Sequence, residues 1–233
     1  MTPFARLLLA AALIGSASST LAQARFGIGY SGSWYLRSLR NLEVEAFSLN
    51  AIHHPYWDRK LEPSRFSHGL NFDLHIAIDD SWGIFFYWKN HHNIFEGGGV
   101  NPATGFDEKI ELKVRLNTFG LLGFEAFSER VRFAFSIDFG TAKIFQRYAM
   151  AEDPDPKWEL YYAKNSGILG SYQVFGSSVF LHYSVAKRIR FSLQWFHDWF
   201  GINPFDKDES GTQYFYRFSN LSCGVQFDLG KLD

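Results

Sequence analysis

His182 and Ser184 stand two residues apart in an alternating run, a spacing that on a strand puts both side chains on one face. An imidazole so placed can approach a hydroxyl and draw off its proton, the opening requirement of nucleophilic acyl transfer. His53-His54 and His91-His92 raise metal binding as a second chemistry. Adjacent strand residues point to opposite faces, so neither doublet chelates by itself, and loop or lumen histidines are the expectation. There is no CxxC and no glycine-rich phosphate loop between a strand and a helix, so neither a metal nor any other cofactor is expected.

The elements that must position these groups announce themselves between Lys109 and Phe127. Ile110, Leu112, Val114, Leu116, Thr118, Leu122, Phe124 and Ala126 alternate with Lys109, Glu111, Lys113, Arg115, Asn117 and Glu125. This period-two pattern lasts about twice the length of an ordinary soluble strand. It predicts a wall between oil and water, with the apolar side facing lipid and the charged side facing a small interior. Extended to the other segments, that parity assigns a polar lumen network of Asp73, His75, Lys89, His91, Glu111, Lys113, Arg115, Glu125, Arg132, Asp138, Arg190 and Asp198, with His182 and Asp228 beside them. An eight-stranded barrel is just wide enough to be filled by side chains, so these charges are expected to pair with one another.

Eight strands follow from the alternation: one from Phe26 to Trp34, then 65–79, from Trp82, 109–127, 131–140, near 170–185, 189–199 and 213–229. Asp79-Asp80-Ser81, Ser128-Glu129-Arg130 and Ala186-Lys187-Arg188 read as tight turns, whereas 36–64, 96–108, 149–167 and 203–212 read as long loops, with Gly97-Gly98-Gly99 at a loop tip. Long and short links alternate, as they do in an up-and-down barrel whose short turns lie in the periplasm. Segment 41–52 breaks parity after Ala46 and is read as an extracellular excursion, with an added strand or a short plug as the alternatives.

Arg6, the apolar Leu7 to Ile14 and Ala22-Gln23-Ala24 have the order of an export signal, so residues 1–24 are expected to be removed and 25–233 to form one barrel domain. Lys and Arg total 23 against 24 Asp and Glu, which excludes a basic nucleic-acid binder. Cys223 is alone, so no disulfide can form within the chain. The 25 Phe, 11 Tyr and 7 Trp suit a lipid-facing wall with interfacial girdles.

The plan from Phe26 to Leu229 resembles small outer-membrane barrels of Gram-negative bacteria, of the OmpA transmembrane-domain and OmpX type. Many of those end on a Phe read by the insertion machinery, whereas here the last Phe is Phe227, six residues before the end. The resemblance implies an all-β, eight-stranded antiparallel transmembrane barrel in the outer membrane, with lipid and lipopolysaccharide as partners. Its role would be structural, adhesive or that of a restricted pore, with the loop 36–64 around Tyr56, Trp57, Asp58, Arg59 and Lys60 as the surface for an extracellular partner. The His182-Tyr183-Ser184 spacing is similar to the His-x-Ser pair of outer-membrane lipid A acyl hydrolases, which implies Asp198 as the orienting acid. In that comparison His197-Asp198-Trp199 is a second candidate, with Trp199 where the nucleophile would stand. A secreted lipocalin-like barrel is the remaining alternative, and it would invert the pattern, apolar inside and charged outside.

Overall fold

The structure, a computed structural model, describes residues 24–36, 40–161, 172–199, 202–207, 213–215 and 218–229. Along the chain come β1 (Ala24–Tyr35), a helix α1 (Arg40–Ser48) with a π-helical turn (Leu49–His53), β2 (Phe66–Ala77), β3 (Trp82–Val100), β4 (Asp107–Phe127) and β5 (Val131–Ala149). There follow a two-residue strand β6 (Glu159–Leu160), β7 (Tyr172–Ala186), β8 (Ile189–Asp198), the short pair β9 (Ile202–Lys207) and β10 (Gln213–Phe215), and β11 (Asn220–Asp228). β1, β2, β3, β4, β5, β7, β8 and β11 are hydrogen-bonded in that order, and β11 returns to β1. Closure leaves no raw edge, which is what a sheet needs in a medium without water.

The alternation acquires its direction from this closure. Phe133, Phe135, Leu181, Phe191, Leu193, Trp195 and Phe227 are exposed on the outside, while Asp73, His75, Arg190 and Asp228 are buried within. On β5 the outward apolar run from Val131 to Phe139 climbs roughly 26 Å of strand, about 20 Å along the barrel axis at a tilt near 40°. That height matches the band a bilayer covers. Such a belt around a polar interior excludes the lipocalin-like arrangement for this half of the molecule. The fold is an eight-stranded transmembrane β-barrel.

The strands are very unequal, and the difference shapes the loop end. β3, β4 and β5 run for 19, 21 and 19 residues, against 9 for β11 and 10 for β8. The three long strands therefore continue far past the apolar belt as a wall. On β4 the parity is reversed, while β3 and β5 keep theirs and simply exchange polar for apolar inward residues. Ile110, Leu112, Val114 and Leu116 of β4 are buried on the inner face of the wall together with Phe95, Ala142 and Ile144, whereas Lys113 and Arg115 point outward. The cause is a β-bulge: Gly120 pairs with Asp138 but Leu122 pairs with Ile137, so Leu121 is an extra residue. One inserted residue exchanges the faces of everything beyond it. A side chain at Gly120 would collide with the Tyr87 ring, so glycine lets the bulged strand close down on the lumen.

The expectation that Glu111, Lys113 and Arg115 line the lumen is thus corrected, as is the lipid-facing assignment of Ile110 to Leu116. Above the bilayer the outer face meets water and the inner face meets a protein core, so the preferred polarity of each face changes sign.

That core is completed by the loops. Leu42 and Ala46, four residues apart on α1, are buried in it with Trp57 and Leu61, while Val44 and Phe47 face outward. The segment 41–52 is therefore helical and lends one face to a plug. Gly97, Gly98 and Gly99 belong to β3 and form no loop tip. A Cβ at Gly97 would lie 2.8 Å from the Leu61 backbone nitrogen, so the glycines let the 57–61 segment lie across the strand. β11 begins at Asn220, not at Gln213, because β10 pairs with β9 in a separate two-stranded sheet. The segment expected to be an export signal lies outside the described residues, apart from Ala24.

Candidate functional site: the packed lumen and its loop-end lock

Four layers fill the barrel. At the turn end, alternation on β2, β8 and β11 brings one cation between two acids. Arg190 donates to Asp73 at 2.9 Å and, through Nε, to Asp228 at 2.7 Å. His75 lies 2.7 Å from Arg190 Nη1 and 2.5 Å from Glu125, which Arg132 meets at 3.4 Å. Each of these residues was expected in the lumen, and the ring closure places them in one connected group.

The middle layer is mostly neutral. The Lys89 ammonium donates to Gln194 Oε1 at 3.1 Å, to Asn220 Oδ1 at 3.0 Å and to Ser222 Oγ. Asp138 accepts from Ser136 and Ser178. Lys89 and Asp138 thus each find neutral partners. Next to them Ser31, Ser33 and Asn71 surround His91, with the Ser31 and Ser33 hydroxyls 2.9 and 2.8 Å from its two ring nitrogens. Small serines on β1 carry no chemical signal in sequence, so their part in this layer was not foreseen. A void of about 20 Å³ between Asp73, Tyr87, Lys89 and Gln226 has room for a water molecule but not for a solute.

Above this lies the apolar core of the plug, and above the core a polar lock. Glu108 accepts from Tyr56 at 2.6 Å and Tyr148 at 2.9 Å on one carboxylate oxygen, and from Asn101 at 2.6 Å on the other. His54 stacks on Trp57 with ring centres 4.0 Å apart, holding the same loop. Glu108 is eleven residues beyond Phe119, roughly 36 Å of strand past the belt and clear of the membrane. Burial and the Glu108 carboxylate push the Tyr56 phenol up to about 12. Burial opposes ionisation of Glu108, but hydrogen bonds from Asn101, Tyr56 and Tyr148 outweigh it and hold the carboxyl below its usual range. Sequence reading missed this lock, because Tyr56 and Tyr148 lie 52 and 40 residues from Glu108 and no strand period relates the loop residues Tyr56 and Asn101 to it.

The proposed acyl-transfer group is not assembled. Both ring nitrogens of His182 lack a hydrogen-bond partner, so Ser184 is not bonded to it. The ring packs instead among Phe85, Phe180 and His75. His182 pairs in register with Ser192, and Asp198 lies six residues further along β8, roughly 20 Å away. There Asp198 accepts the Phe218 N–H at 3.1 Å. His197 is on the outer face beside Trp195.

Comparison with known proteins finds no matching family model and no matching curated protein. Among solved structures, Ail, the attachment invasion locus protein of Yersinia pestis, solved with the heparin analogue sucrose octasulfate, is similar at 11% identity and a TM-score of 0.46, over 90% of this chain and 100% of that one. OprG, an outer membrane protein of Pseudomonas aeruginosa, is similar at 9% identity and 0.40, over 91% and 97%. Neisserial surface protein A is similar at 8% and 0.38, over 88% and 96%. The assignment of the fold rests on the closed strand ring and its apolar belt.

Proposed function

We propose that this protein is exported by its N-terminal signal to a bacterial outer membrane and serves there as a closed anchor, holding a folded loop end outside the cell for structural and adhesive contact. The observation that carries this reading is the continuity of packing inside the barrel. Among the described residues the Arg190 ion group, the Lys89 and His91 layers, the apolar plug and the Glu108 lock follow one another, and the void beside Lys89 holds little more than a water. A conducting role would need part of that column to leave. The short turns at 78–81, 128–130 and 187–188 gather at one end, and the plug, the lock and the exposed Leu36, Val44 and Phe47 at the other. The exposed Asp58, Arg59 and Lys60 add charge to that surface, with Arg59 bridged to Asp107 at 2.8 Å.

Two measurements test the proposal. Single cysteines at Val44 and at Lys187, in a Cys223→Ser background, are offered to a membrane-impermeant maleimide on intact cells. Labelling at 44 and not at 187 is expected, and the reverse would overturn the orientation. In planar bilayers the refolded chain is expected to give no conductance steps, and reproducible steps would overturn the closed reading.

A further inference from the structure

The outer face of β4 and β5 just above the apolar belt carries cations that no described residue neutralises. Arg115 on β4 is directly opposite Lys143 on β5 in the strand register. Lys113, two residues along β4 on the same face, is diagonal to Lys143, and His92 on β3 is the partner of Arg115 on its other side. Like charges facing each other across a ladder repel at about 5 Å and destabilise it. Among the described residues none of Lys113, Arg115 and Lys143 has a carboxylate partner. Arg115 donates to the neutral Asn90 Oδ1 at 3.1 Å, and Lys113 lies 5.6 Å from the Trp158 ring. Two acids further along this face, Glu96 and Glu111, are already engaged: Glu96 by Lys109, and Glu111 by Lys109 and Arg147.

Height decides what can answer this charge. Phe119 and Phe139 close the apolar belt on the two strands, and Arg115 and Lys143 each lie four residues beyond. That is about 13 Å of strand and roughly 10 Å along the axis, a few ångströms above the roughly 5–7 Å headgroup layer that lies over the hydrocarbon. A flexible lysine or arginine reaches down from there while its aliphatic stem stays against the wall. Asn90, Asn117 and Thr141, paired in register around the cations, add neutral hydrogen-bonding groups.

We propose that Lys113, Arg115 and Lys143 form a binding site for the phosphate groups of a phosphorylated glycolipid in the membrane leaflet at the loop end. The proposal rests on the orientation given above, and it names a lipid partner for the outer wall of the same barrel. Multiple phosphates are favoured over a single carboxylate because three cations on a surface some 7 Å across match a doubly charged anion that accepts several hydrogen bonds. Loss of three exposed charge pairs predicts a roughly thirtyfold weaker complex, since each such pair contributes modestly and all are screened by salt.

The test uses the whole chain in detergent micelles, with native mass spectrometry counting bound lipid. The probes are bisphosphorylated lipid A, the same glycolipid stripped of phosphate, and inorganic phosphate as competitor. The variants are Lys113→Gln/Arg115→Gln/Lys143→Gln and, as a charge-matched control at the turn end, Arg130→Gln/Lys187→Gln/Arg188→Gln. The unaltered chain and the control are expected to retain the phosphorylated lipid, the triple variant to lose it roughly thirtyfold, and all three to hold the stripped lipid alike. Equal retention by the triple variant, or equal loss in the control, would overturn the site. Displacement by inorganic phosphate at concentrations similar to those of the lipid would overturn the lipid as its source. Heat-modified gel migration shows that the triple variant is folded. Micelle binding is indifferent to which way the loop end faces, so a reversed labelling pattern and a failed lipid site are told apart.

Discussion

Arg190 is the residue whose removal tests the interior most sharply. It is 1% exposed, and its guanidinium faces two carboxylates, Asp73 at 2.9 Å and Asp228 at 2.6 Å. Replacing it with Met keeps most of the volume but strands two acids inside a closed wall. Removing one partner of a buried pair costs about 3–5 kcal/mol, because the remaining charge has neither water nor a counter-ion. With two acids left, about 4 kcal/mol is a conservative loss, a large share of the roughly 5–15 kcal/mol that holds a typical domain. If the cost comes from stranded charge and not from lost packing, Arg190→Met/Asp73→Asn/Asp228→Asn should recover most of it and lie within about 2 kcal/mol of the unaltered chain. Urea titration in lipid vesicles, read by tryptophan emission and by heat-modified gel mobility, measures both variants. Where Arg190→Met does not fold, recovery of folded yield in the triple variant is the measure. A single variant costing under about 1 kcal/mol, or a triple variant as unstable as the single, would refute the reasoning.

Three further outcomes are expected. The Glu108 lock has a pH window: its depressed carboxyl stabilises the plug above the ordinary value of 4.5 and loses that contribution as pH falls through the folded value, while Tyr56, raised from 10.0 to about 12, loses its contribution as pH rises through about 12. Trypsin cleavage at Arg59 and Lys60 should therefore be slowest between those limits in pulse experiments, and Glu108→Gln should flatten the acid side; a profile unchanged by Glu108→Gln would dismiss the lock. Deleting Leu121 removes the bulge and throws one half of β4 onto the wrong face, so the heat-modifiable barrel should be lost, whereas Leu121→Ala, at a 56% exposed position, should keep it. His182→Phe should be neutral or stabilising by about 1 kcal/mol, because it replaces two unsatisfied ring nitrogens by carbon among Phe85 and Phe180; a marked loss of stability would show that the imidazole has a partner in solution.

The turn-end ion group was legible because Asp73, His75, Arg132, Arg190 and Asp228 occupy alternating positions on strands in which no inserted residue lies between them and the turn end. Parity there maps directly onto inside and outside. The same logic failed for Glu111, Lys113 and Arg115, where the alternation is just as regular but a bulge within the apolar belt lies between them and the turn end of β4. It failed also for Gly97 to Gly99, whose composition suggests a turn but whose lack of side chains serves the approach of Leu61. His182 and Ser184 do share a face, as their spacing requires, yet Asp198 lies far along the neighbouring strand. Distance along β8 could have been counted from the sequence, while the aromatic surroundings of His182 could not.

By itself, the sequence determined that one face of each strand is apolar, where the chain turns, and that eight such strands are available, because side-chain period and turn chemistry are local properties. Only the tertiary structure decided which medium each face meets. That choice depends on ring closure, on the single extra residue at Leu121, and on whether a given height lies in hydrocarbon or in water. These are relations between distant segments, and alternation reads the same on either side of them.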